Sequence, residues 1–445
     1  MKRLMIVEVV FLCLTVTGGY AIDWSGYLKT DNRILLNKTG EFSWQEYLLS
    51  LEATSTFENK SGFYTQIWLK KLGFSHIKTD SDLVSSLCIS PINIDLREAY
   101  FDMYGFILNN VDMRIGKQRI AWGTADRFNP TDNLNPPDLE DIWDFGRHLS
   151  SLGVKSSIYV GDYTITSVYI PIFTPALLPF GEWSSMLMPS LILPPGVNLR
   201  SYSDSVMLPG RNIKENARLG FKIAKDLFGY DFSLSYVYGR DGIPILEKVT
   251  LLPAVNPGYV DVKAKLCYPR MNIIGWDMSG TIKNMGIWAE AALFFPEKVV
   301  MTTDLSAIGL GIQKTTILDN KSYLKYVVGA DYRFANGIYI NGQYLFGFLQ
   351  ERGRDNLKHY IMFSGEWENT GEHIKIAPLN GSIEINNIRD IANTYAVVLS
   401  PEITYCPFDG TEISVGVRWI EGKESTTFGK MRNNDEGFVR MQCWF

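Results

Sequence analysis

Charged and turn-forming residues are concentrated between residues 116 and 148 of the chain. The run GKQRIAWGTADRFNPTDNLNPPDLED, which starts at residue 116, contains three prolines without a backbone donor and several turn-capping Asn and Asp residues. This composition predicts a rigid loop whose side chains keep fixed positions. Opposed acids and bases facing a water-filled passage would sort solutes by charge and size through their field, without chemical change. The alternative is an external loop that these residues merely stabilise.

The candidate filter combines charged residues of this segment with basic residues on strands that we expect to face it. The loop residues are Asp126, Arg127, Asp132, Asp138 and Arg147. The facing residues are Arg114, Arg218, Lys222 and Arg418. This arrangement would set acidic groups against basic groups across the passage.

The sequence contains few residues or motifs that would indicate an enzyme. The chain has only four histidines, and His148 near Ser150 and Ser151 forms no nucleophile elbow. The sequence also lacks an HExxH motif and a phosphate-binding loop. The cysteines beyond the N-terminus show no metal-ligand spacing; they are Cys88, Cys267, Cys406 and Cys443. We therefore expect no enzyme and no cofactor, and the disulfide pairing stays open, with Cys88 and Cys267 as one suggested pair.

The composition narrows the class of protein. The 445 residues are 46% hydrophobic, 13% aromatic and 20% charged, with a net charge of −5, which excludes a basic nucleic-acid binder. Apart from the extreme N-terminus, no uninterrupted apolar run reaches the roughly 18 residues that a membrane-spanning helix needs. A helical membrane protein is therefore excluded, and the aromatic content favours a membrane barrel over a large soluble β-protein.

The N-terminus has the pattern of a secretory signal. Lys2 and Arg3 precede the apolar run 9–16, and small residues follow up to Ala21. This predicts cleavage after Ala21, so that residues 1–21 are a signal peptide and residues 22–445 form one domain. An inner-membrane anchor is the alternative, which the short apolar run disfavours.

The rest of the chain alternates between apolar and polar residues in segments separated by turn-forming residues. Short connections, rich in Gly, Asn and Asp, alternate with longer ones, as in outer-membrane barrels with short periplasmic turns and long outer loops. The fold class is therefore all-β: a single transmembrane antiparallel β-barrel of about 18 strands, with 16 still open because the segment 358–387 is weakly patterned. A soluble propeller or sandwich is the alternative, but no repeat of 40 to 50 residues is visible.

Three strands indicate which face meets lipid. Apolar residues occupy the odd positions of 217–225, the even positions of 230–238 and the odd positions of 411–419, opposite polar residues. The apolar sets should face lipid and leave a polar interior. The chain ends in the same way, on an amphipathic strand with a terminal Phe445. Such a strand is typical of proteins that bacterial barrel-insertion machinery recognises.

Three segments carry a resemblance to a known family. They are the G-x-Q-x-x-x-W-G pattern at 116–123 with the N-P-x-D loop at 129–132, YGRDGIP at 238–244, and GIWAEAALFF at 286–295. In these segments the chain resembles porin-like bacterial outer-membrane β-barrels, whose transported cargoes are largely unassigned. The resemblance implies a barrel and export to the outer membrane, and it implies no defined substrate.

The segment 175–197 is too apolar for a freely solvated loop. One interpretation is an adaptable apolar path for a hydrophobic solute, lined by Leu177, Leu178, Met186, Met188, Leu191 and Leu193. The other is a loop that covers the barrel mouth or contacts lipopolysaccharide or a second protomer.

The sequence thus predicts a porin-like channel in the bacterial outer membrane that passes small solutes by facilitated diffusion, with residues 116–148 forming the constriction. A transporter of hydrophobic small molecules and a non-conducting, surface-binding barrel are the alternatives. The expected partners are outer-membrane lipid and lipopolysaccharide, the barrel-insertion machinery and a small solute, and no nucleic acid. The solute, its charge, the disulfides, closure of the pore by residues 171–214 and the choice between monomer and homo-oligomer stay open.

Overall fold

The computed structural model describes residues 21–445 except residues 39, 59, 76, 188–195, 257, 370 and 372. The expected signal segment, apart from Ala21, therefore lies outside the described residues, as do Met188, Leu191 and Leu193. The strands are β1 (Asp23–Leu35), β2 (Phe42–Phe57), β3 (Ser61–Leu72), β4 (Ile92–Met103), β5 (Val111–Gln118), β6 (Ser151–Val160), β7 (Tyr163–Ile170), β8 (Asn198–Val206), β9 (Arg218–Leu227), β10 (Tyr230–Arg240), β11 (Ile245–Pro253), β12 (Tyr259–Cys267), β13 (Arg270–Ile282), β14 (Met285–Pro296), β15 (Val299–Leu305), β16 (Gly311–Leu318), β17 (Tyr323–Arg333), β18 (Ile338–Phe346), β19 (His359–Glu368), β20 (Ile374–Ile385), β21 (Tyr395–Leu399), β22 (Glu402–Tyr405), β23 (Thr411–Gly422) and β24 (Glu436–Trp444).

Among the residues that the structure describes, helical structure is confined to short pieces of the connections. Two of these pieces are α-helical, Ser86–Ile89 and Ile213–Asn216. The 3-10 helices are Asp80–Val84, Gly181–Met186, Ser306–Ile308, Arg354–Asn356, Ile388–Asn393 and Gly429–Met431. Among the described residues, no helix has the length and apolar character needed to cross a membrane.

Nineteen strand segments form one closed antiparallel barrel. Segments β21 and β22 are two parts of a single strand interrupted at Ser400 and Pro401, because both pair with β20 and with β23. The barrel therefore has 18 strands, as the alternation of turns and loops predicts. Strands β1 and β24 close it from Tyr27–Trp444 to Leu35–Glu436, and the backbones of Gly26 and Phe445 exchange two hydrogen bonds of 3.0 Å. Closure satisfies the backbone groups that an open sheet edge would expose.

Short turns and long loops alternate around the barrel as predicted. In the described part of the chain, eight short connections lie at one end. One of the two-residue connections, at residues 228–229, combines Phe228 at φ 60° with Gly229 at φ 80°. Positive φ at both central residues is the geometry of a type I′ hairpin turn. The other end carries nine connections, of which we refer to loop 3 (119–150), loop 4 (171–217), loop 5 (241–269), loop 6 (297–322), loop 7 (347–358) and loop 9 (423–435).

The outward face is the one that the alternation predicts. Phe221, Ile223, Leu234, Val415 and Val439 are all roughly half exposed, whereas the residues between them in the same strands point inward. Because side chains alternate along a strand, every second residue contributes to this apolar outer surface.

The interior agrees only in part with the predicted polar interior. Toward the long-loop ends, inward-facing apolar residues of the wall pack against the loops in two clusters. One cluster surrounds Leu134, and the other surrounds Phe348 and Phe428, all three of which are at most 1% exposed. Polar side chains line the part of the interior that extends toward the short turns. The sequence pattern distinguishes inside from outside, but the packing of loops inside the barrel determines which inward positions are apolar.

Three long loops also form a second, five-stranded sheet that the sequence did not predict. Its order is β16-β15-β11-β12-β8, with β11–β15 and β12–β8 parallel. These strands belong to loops 4, 5 and 6, and parallel pairing between distant segments leaves no local turn signal.

The suggested Cys88–Cys267 pair is wrong, since both are free thiols, as are Cys406 and Cys443.

Candidate functional site

Loop 3 lies inside the barrel and touches its wall on several sides. It leaves β5 and contacts side chains of β14, β9, β4, β1 and β18 before it enters β6. The loop therefore spans the interior, and each contact with the wall fixes a different part of it.

The tightest attachment is to the carboxylate of Glu290 on β14. This side chain is 1% exposed and accepts hydrogen bonds from the Ala125 amide at 2.6 Å, Asn129 Nδ2 at 2.8 Å and Thr131 Oγ1 at 2.8 Å. The Thr124 amide donates to the same carboxylate. Because a carboxylate offers about four acceptor positions, these donors satisfy the buried group.

Gly123 permits this close approach. Its φ is +97°, and a Cβ at this position would lie 2.6 Å from Glu290 Oε1. Any larger residue would meet both backbone strain and a steric clash. The W-G part of the sequence pattern and the N-P-x-D part therefore both contact the carboxylate of Glu290.

Ion pairs hold the later part of loop 3. Asp138 is 1% exposed and binds Arg97 of β4 at 3.0 Å and Arg147 at 3.0 Å. Burial would raise the pKa of Asp138, but the guanidinium groups of Arg147 and Arg97 outweigh it and hold that pKa below its usual value. Asp141, likewise buried, accepts two hydrogen bonds from Arg33 of β1. These attachments keep the segment 138–141 against β1 and β4.

Asp132 makes a local contact within the loop. Its carboxylate accepts hydrogen bonds from Arg119, and His148 Nε2 lies 3.9 Å away. Burial lowers the pKa of His148, which favours the neutral imidazole. Ser150 Oγ donates to the backbone oxygen of Arg97, so this hydroxyl is engaged in holding the loop.

Loop 4 packs inward against loop 3. Trp183 and Met186 are each 2% exposed, and Trp183 meets the Trp143 ring edge-on at 5.3 Å. Leu177 and Leu178 are more than one third exposed. The apolar character of this loop is therefore explained in part by burial of its helical turn Gly181–Met186.

A cavity of about 530 Å³ remains between loop 3 and the wall formed by β18–β24 and β1. Its aromatic lining consists of Phe128, Trp143, Phe145, Phe363 and Phe428. Its charged lining consists of Lys29, Arg33, Asp126, Arg127, Asp141, Asp144, Glu366, Glu402, Glu412, Arg418 and Arg440. The cavity extends toward the short-turn end, because Glu366, Glu412 and Gln442 lie close to the turns of their strands.

The structure brings some of the predicted filter residues to this cavity and places others elsewhere. Asp126, Arg127 and Arg418 line it. Asp132, Asp138 and Arg147 are engaged in ion pairs that hold loop 3.

The remaining three wall residues have different surroundings. Arg218 is buried and donates from Nη1 to the backbone oxygen of Leu134 at 2.6 Å, so it supports loop 3 from β9. Arg114 forms a two-point ion pair with Asp102, at 2.7 and 2.9 Å, close to a short turn. Lys222 lies 3.7 Å from Asp277. Among the described residues, neither Arg114 nor Lys222 bonds to loop 3.

Sequence reasoning missed the wall residues that hold the loops. Besides Glu290, these include Glu384, which accepts backbone hydrogen bonds from Thr427 and Phe428 of loop 9 at 2.7 and 2.8 Å. Gln343 of β18 donates to the backbone oxygen of Asp126 at 2.8 Å. A signal was available for Glu290, because it is the one charged residue of the otherwise apolar strand β14 and lies at an inward position. Strand β20 carries other polar residues, so Glu384 does not stand out in the same way.

All three segments of the family resemblance meet at loop 3. GIWAEAALFF contains Glu290, and YGRDGIP places Gly242 against Pro136 and Pro137. Asp241 of the latter segment binds Arg352 of loop 7 at 2.6 Å. Burial would raise the pKa of Asp241, but the Arg352 guanidinium outweighs it and holds that pKa below its usual value.

Comparison with known proteins finds similarity to solved structures only. No family model matches the chain, and no curated protein matches it. Solved structures with some likeness include the Salmonella typhi OmpF complex with daunomycin, at 9% identity over 96% of this chain and 98% of that chain, TM-score 0.42. A Rh. blastica porin mutant has 12% identity over 96% and 100%, TM-score 0.42, and OmpT of Vibrio cholerae has 10% identity over 96% and 98%, TM-score 0.44. At these values the likeness carries no conclusion about the function of this chain.

Proposed function

We propose that this chain is a porin-like channel of the bacterial outer membrane that passes small solutes by facilitated diffusion. The observation that carries the proposal is a closed 18-stranded barrel with an apolar outer face, crossed inside by a loop that leaves a polar cavity beside it. An apolar exterior around a closed ring of hydrogen bonds suits a bilayer, where unpaired backbone groups are costly. Loop 3 narrows the interior and is the proposed constriction.

Within this proposal, the predicted filter residues divide into two groups. Asp126, Arg127 and Arg418 line the cavity and would act on a passing solute through their charge. The other residues would act indirectly, by fixing loop 3 and the wall; they are Asp132, Asp138, Arg147, Arg218, Arg114 and Lys222. Because the first group is in contact with the cavity, its charges should determine ion preference.

Planar-bilayer recording tests the proposal. The purified wild-type protein should give stepwise conductance, and its reversal potential in a salt gradient should report which ion passes more easily. Asp126→Asn should shift the reversal potential in the direction that indicates a lower preference for cations. The charge-matched control Asp231→Asn changes an exposed carboxylate of β10 that is not part of the cavity lining, and it should leave the potential unchanged.

The outcomes separate the parts of the proposal. A folded barrel that stays silent in the bilayer would contradict the channel and favour a surface-binding barrel. Conductance with an unchanged reversal potential in Asp126→Asn would remove the filter role and keep the channel. The double variant Asp126→Asn with Asp132→Asn then measures whether the buried, ion-paired Asp132 contributes through loop position.

A further inference from the structure

The cavity beside loop 3 has an aromatic part and an acidic part. Its roof comes from loops 3 and 9, where Phe128, Trp143, Phe145 and Phe428 lie at the surface of the cavity or just behind it. Below the roof, toward the short turns, lie Glu366, Glu402 and Glu412. A volume of about 530 Å³ falls within the range of pockets that enclose small organic molecules.

The charges around the cavity do not cancel. The charged lining and its direct ion-pair partners, which are Asp31, Glu46, Glu436, Arg147 and Lys375, together hold nine carboxylates and seven cationic groups. Most of these charges are paired. Among the described residues, Asp126, Arg127 and Glu366 make no side-chain ion pair. A water-filled cavity with low-dielectric walls concentrates the effect of such an acidic excess on a solute.

An independent feature lies beside Asp126. Gln343 is 5% exposed and lines the cavity, and its Nε2 donates to the backbone oxygen of Asp126. In the described part of the chain its Oε1 accepts no hydrogen bond. Gln343 therefore fixes the backbone of Asp126 at the wall of the cavity, while its own oxygen is enclosed and out of reach of a solute. The Asp126 carboxylate is exposed, lines the cavity and is the group that a cation would meet.

The apolar end of such a ligand has a surface nearby. The backbone amide of Phe128 donates a hydrogen bond to the backbone oxygen of Asp126 at 2.9 Å, and Met362 Sδ lies 3.4 Å from Gln343 Nε2. Aromatic rings and a methionine therefore adjoin the acidic group. Aromatic faces attract cations, and methionine adapts to varied apolar shapes.

We propose that this cavity binds small organic cations that carry an aromatic or other apolar body, with the ammonium group at the Asp126 carboxylate and the apolar body against Phe128 and Met362. This inference rests on the proposed function, since it names the solute class for the same passage. It does not require that the ligand be transported, because binding to the cavity can be measured without conduction.

The test uses three probes that differ in one property each. They are 2-phenylethylammonium, 3-phenylpropionate with the opposite charge, and n-propylammonium without the ring. Equilibrium dialysis against the detergent-folded protein measures binding, and block of the potassium current in a bilayer measures occupancy during conduction. We expect 2-phenylethylammonium to bind and block at concentrations at least about tenfold lower than either of the other probes.

Variants locate the site. Asp126→Asn should weaken 2-phenylethylammonium about tenfold, which corresponds to ~1.4 kcal/mol. Glu366→Gln should weaken it less, since Glu366 lies farther along the cavity toward a short turn. Asp231→Asn is the matched control, and it should change neither binding nor block.

The results distinguish this inference from the channel itself. Equal or tighter binding of 3-phenylpropionate would show that Arg127 determines the preference and would overturn the inference. If n-propylammonium bound as tightly as 2-phenylethylammonium, the proposed contact of the apolar body with Phe128 and Met362 would be overturned. A conducting protein without any preference among the probes contradicts the inference and leaves the channel standing. A silent protein that still binds 2-phenylethylammonium in an Asp126-dependent way contradicts the channel and supports the site.

Discussion

Removing the Glu290 carboxylate should release loop 3 from the wall. Glu290→Ala leaves the donors of Thr124, Ala125, Asn129 and Thr131 without their buried acceptor. Hydrogen bonds to a charged group contribute about 1.5–3 kcal/mol each, but the released donors can bind water and the contributions are not additive. A net loss of about 4 kcal/mol is therefore reasonable for four bonds, and it raises the population of the released loop about a thousandfold.

Trypsin cleavage after Arg127 measures that population. Arg127 is exposed in the cavity, but it lies inside the barrel between Ala125 and Asn129, both of which are bonded to Glu290, so a protease cannot reach an extended segment there. Cleavage therefore requires release of the loop, and its rate follows the released fraction when release is fast. Mass spectrometry of the fragments identifies the cut. We expect slow cleavage in the wild type and a much faster cut at Arg127 in Glu290→Ala.

Two further variants make this test specific. Glu290→Gln keeps one acceptor oxygen and replaces the other with an NH2 group, which is itself a donor and faces the donors of loop 3. Its cleavage rate should therefore lie between those of the wild type and Glu290→Ala. Glu412→Gln removes an inward carboxylate that binds Lys375 and not loop 3, and it should behave as the wild type. If Glu290→Ala, with the β-sheet signal of the barrel intact by circular dichroism, were cut no faster than the wild type, the anchoring role of Glu290 would be refuted.

Three other predictions concern loop 3 and the part of loop 4 that packs against it. Burial would raise the pKa of Asp141, but the Arg33 guanidinium outweighs it and holds that pKa well below its usual range. The ion pair therefore stabilises the fold fully above the unfolded pKa of about 4, and this contribution is lost as the pH falls further. Asp141→Asn should reduce the acid dependence of the urea midpoint. Gly123→Ala should increase trypsin cleavage of loop 3, since its Cβ would meet Glu290 and its φ is +97°. Trp183→Ala should lower the free energy of unfolding by about 3–5 kcal/mol in a urea titration, because the ring is 2% exposed; a change below 1 kcal/mol would contradict its role in the core.

The sequence by itself determined the wall of this protein. Side chains alternate with period two along a strand, and Gly, Asn and Asp mark the reversals, so both the lipid-facing set and the order of short and long connections are local properties. The strand count of 18 and the terminal strand ending at Phe445 follow from those local signals. Even the segment 358–387, where the pattern is weak, forms β19 and β20 because neighbouring strands supply their partners.

The interior was decided by tertiary structure. Glu290 and Thr124 are 166 residues apart, and Arg33 and Asp141 are 108 apart, and nothing in either local sequence identifies its partner. The residue types of loop 3 indicated a rigid, charged segment, but they did not distinguish Asp126, which faces the cavity, from Asp138, which is buried between two arginines. That distinction arises only when the barrel closes, because closure brings distant strands to opposite sides of the loop and sets which of its charges meet a counter-charge and which meet water.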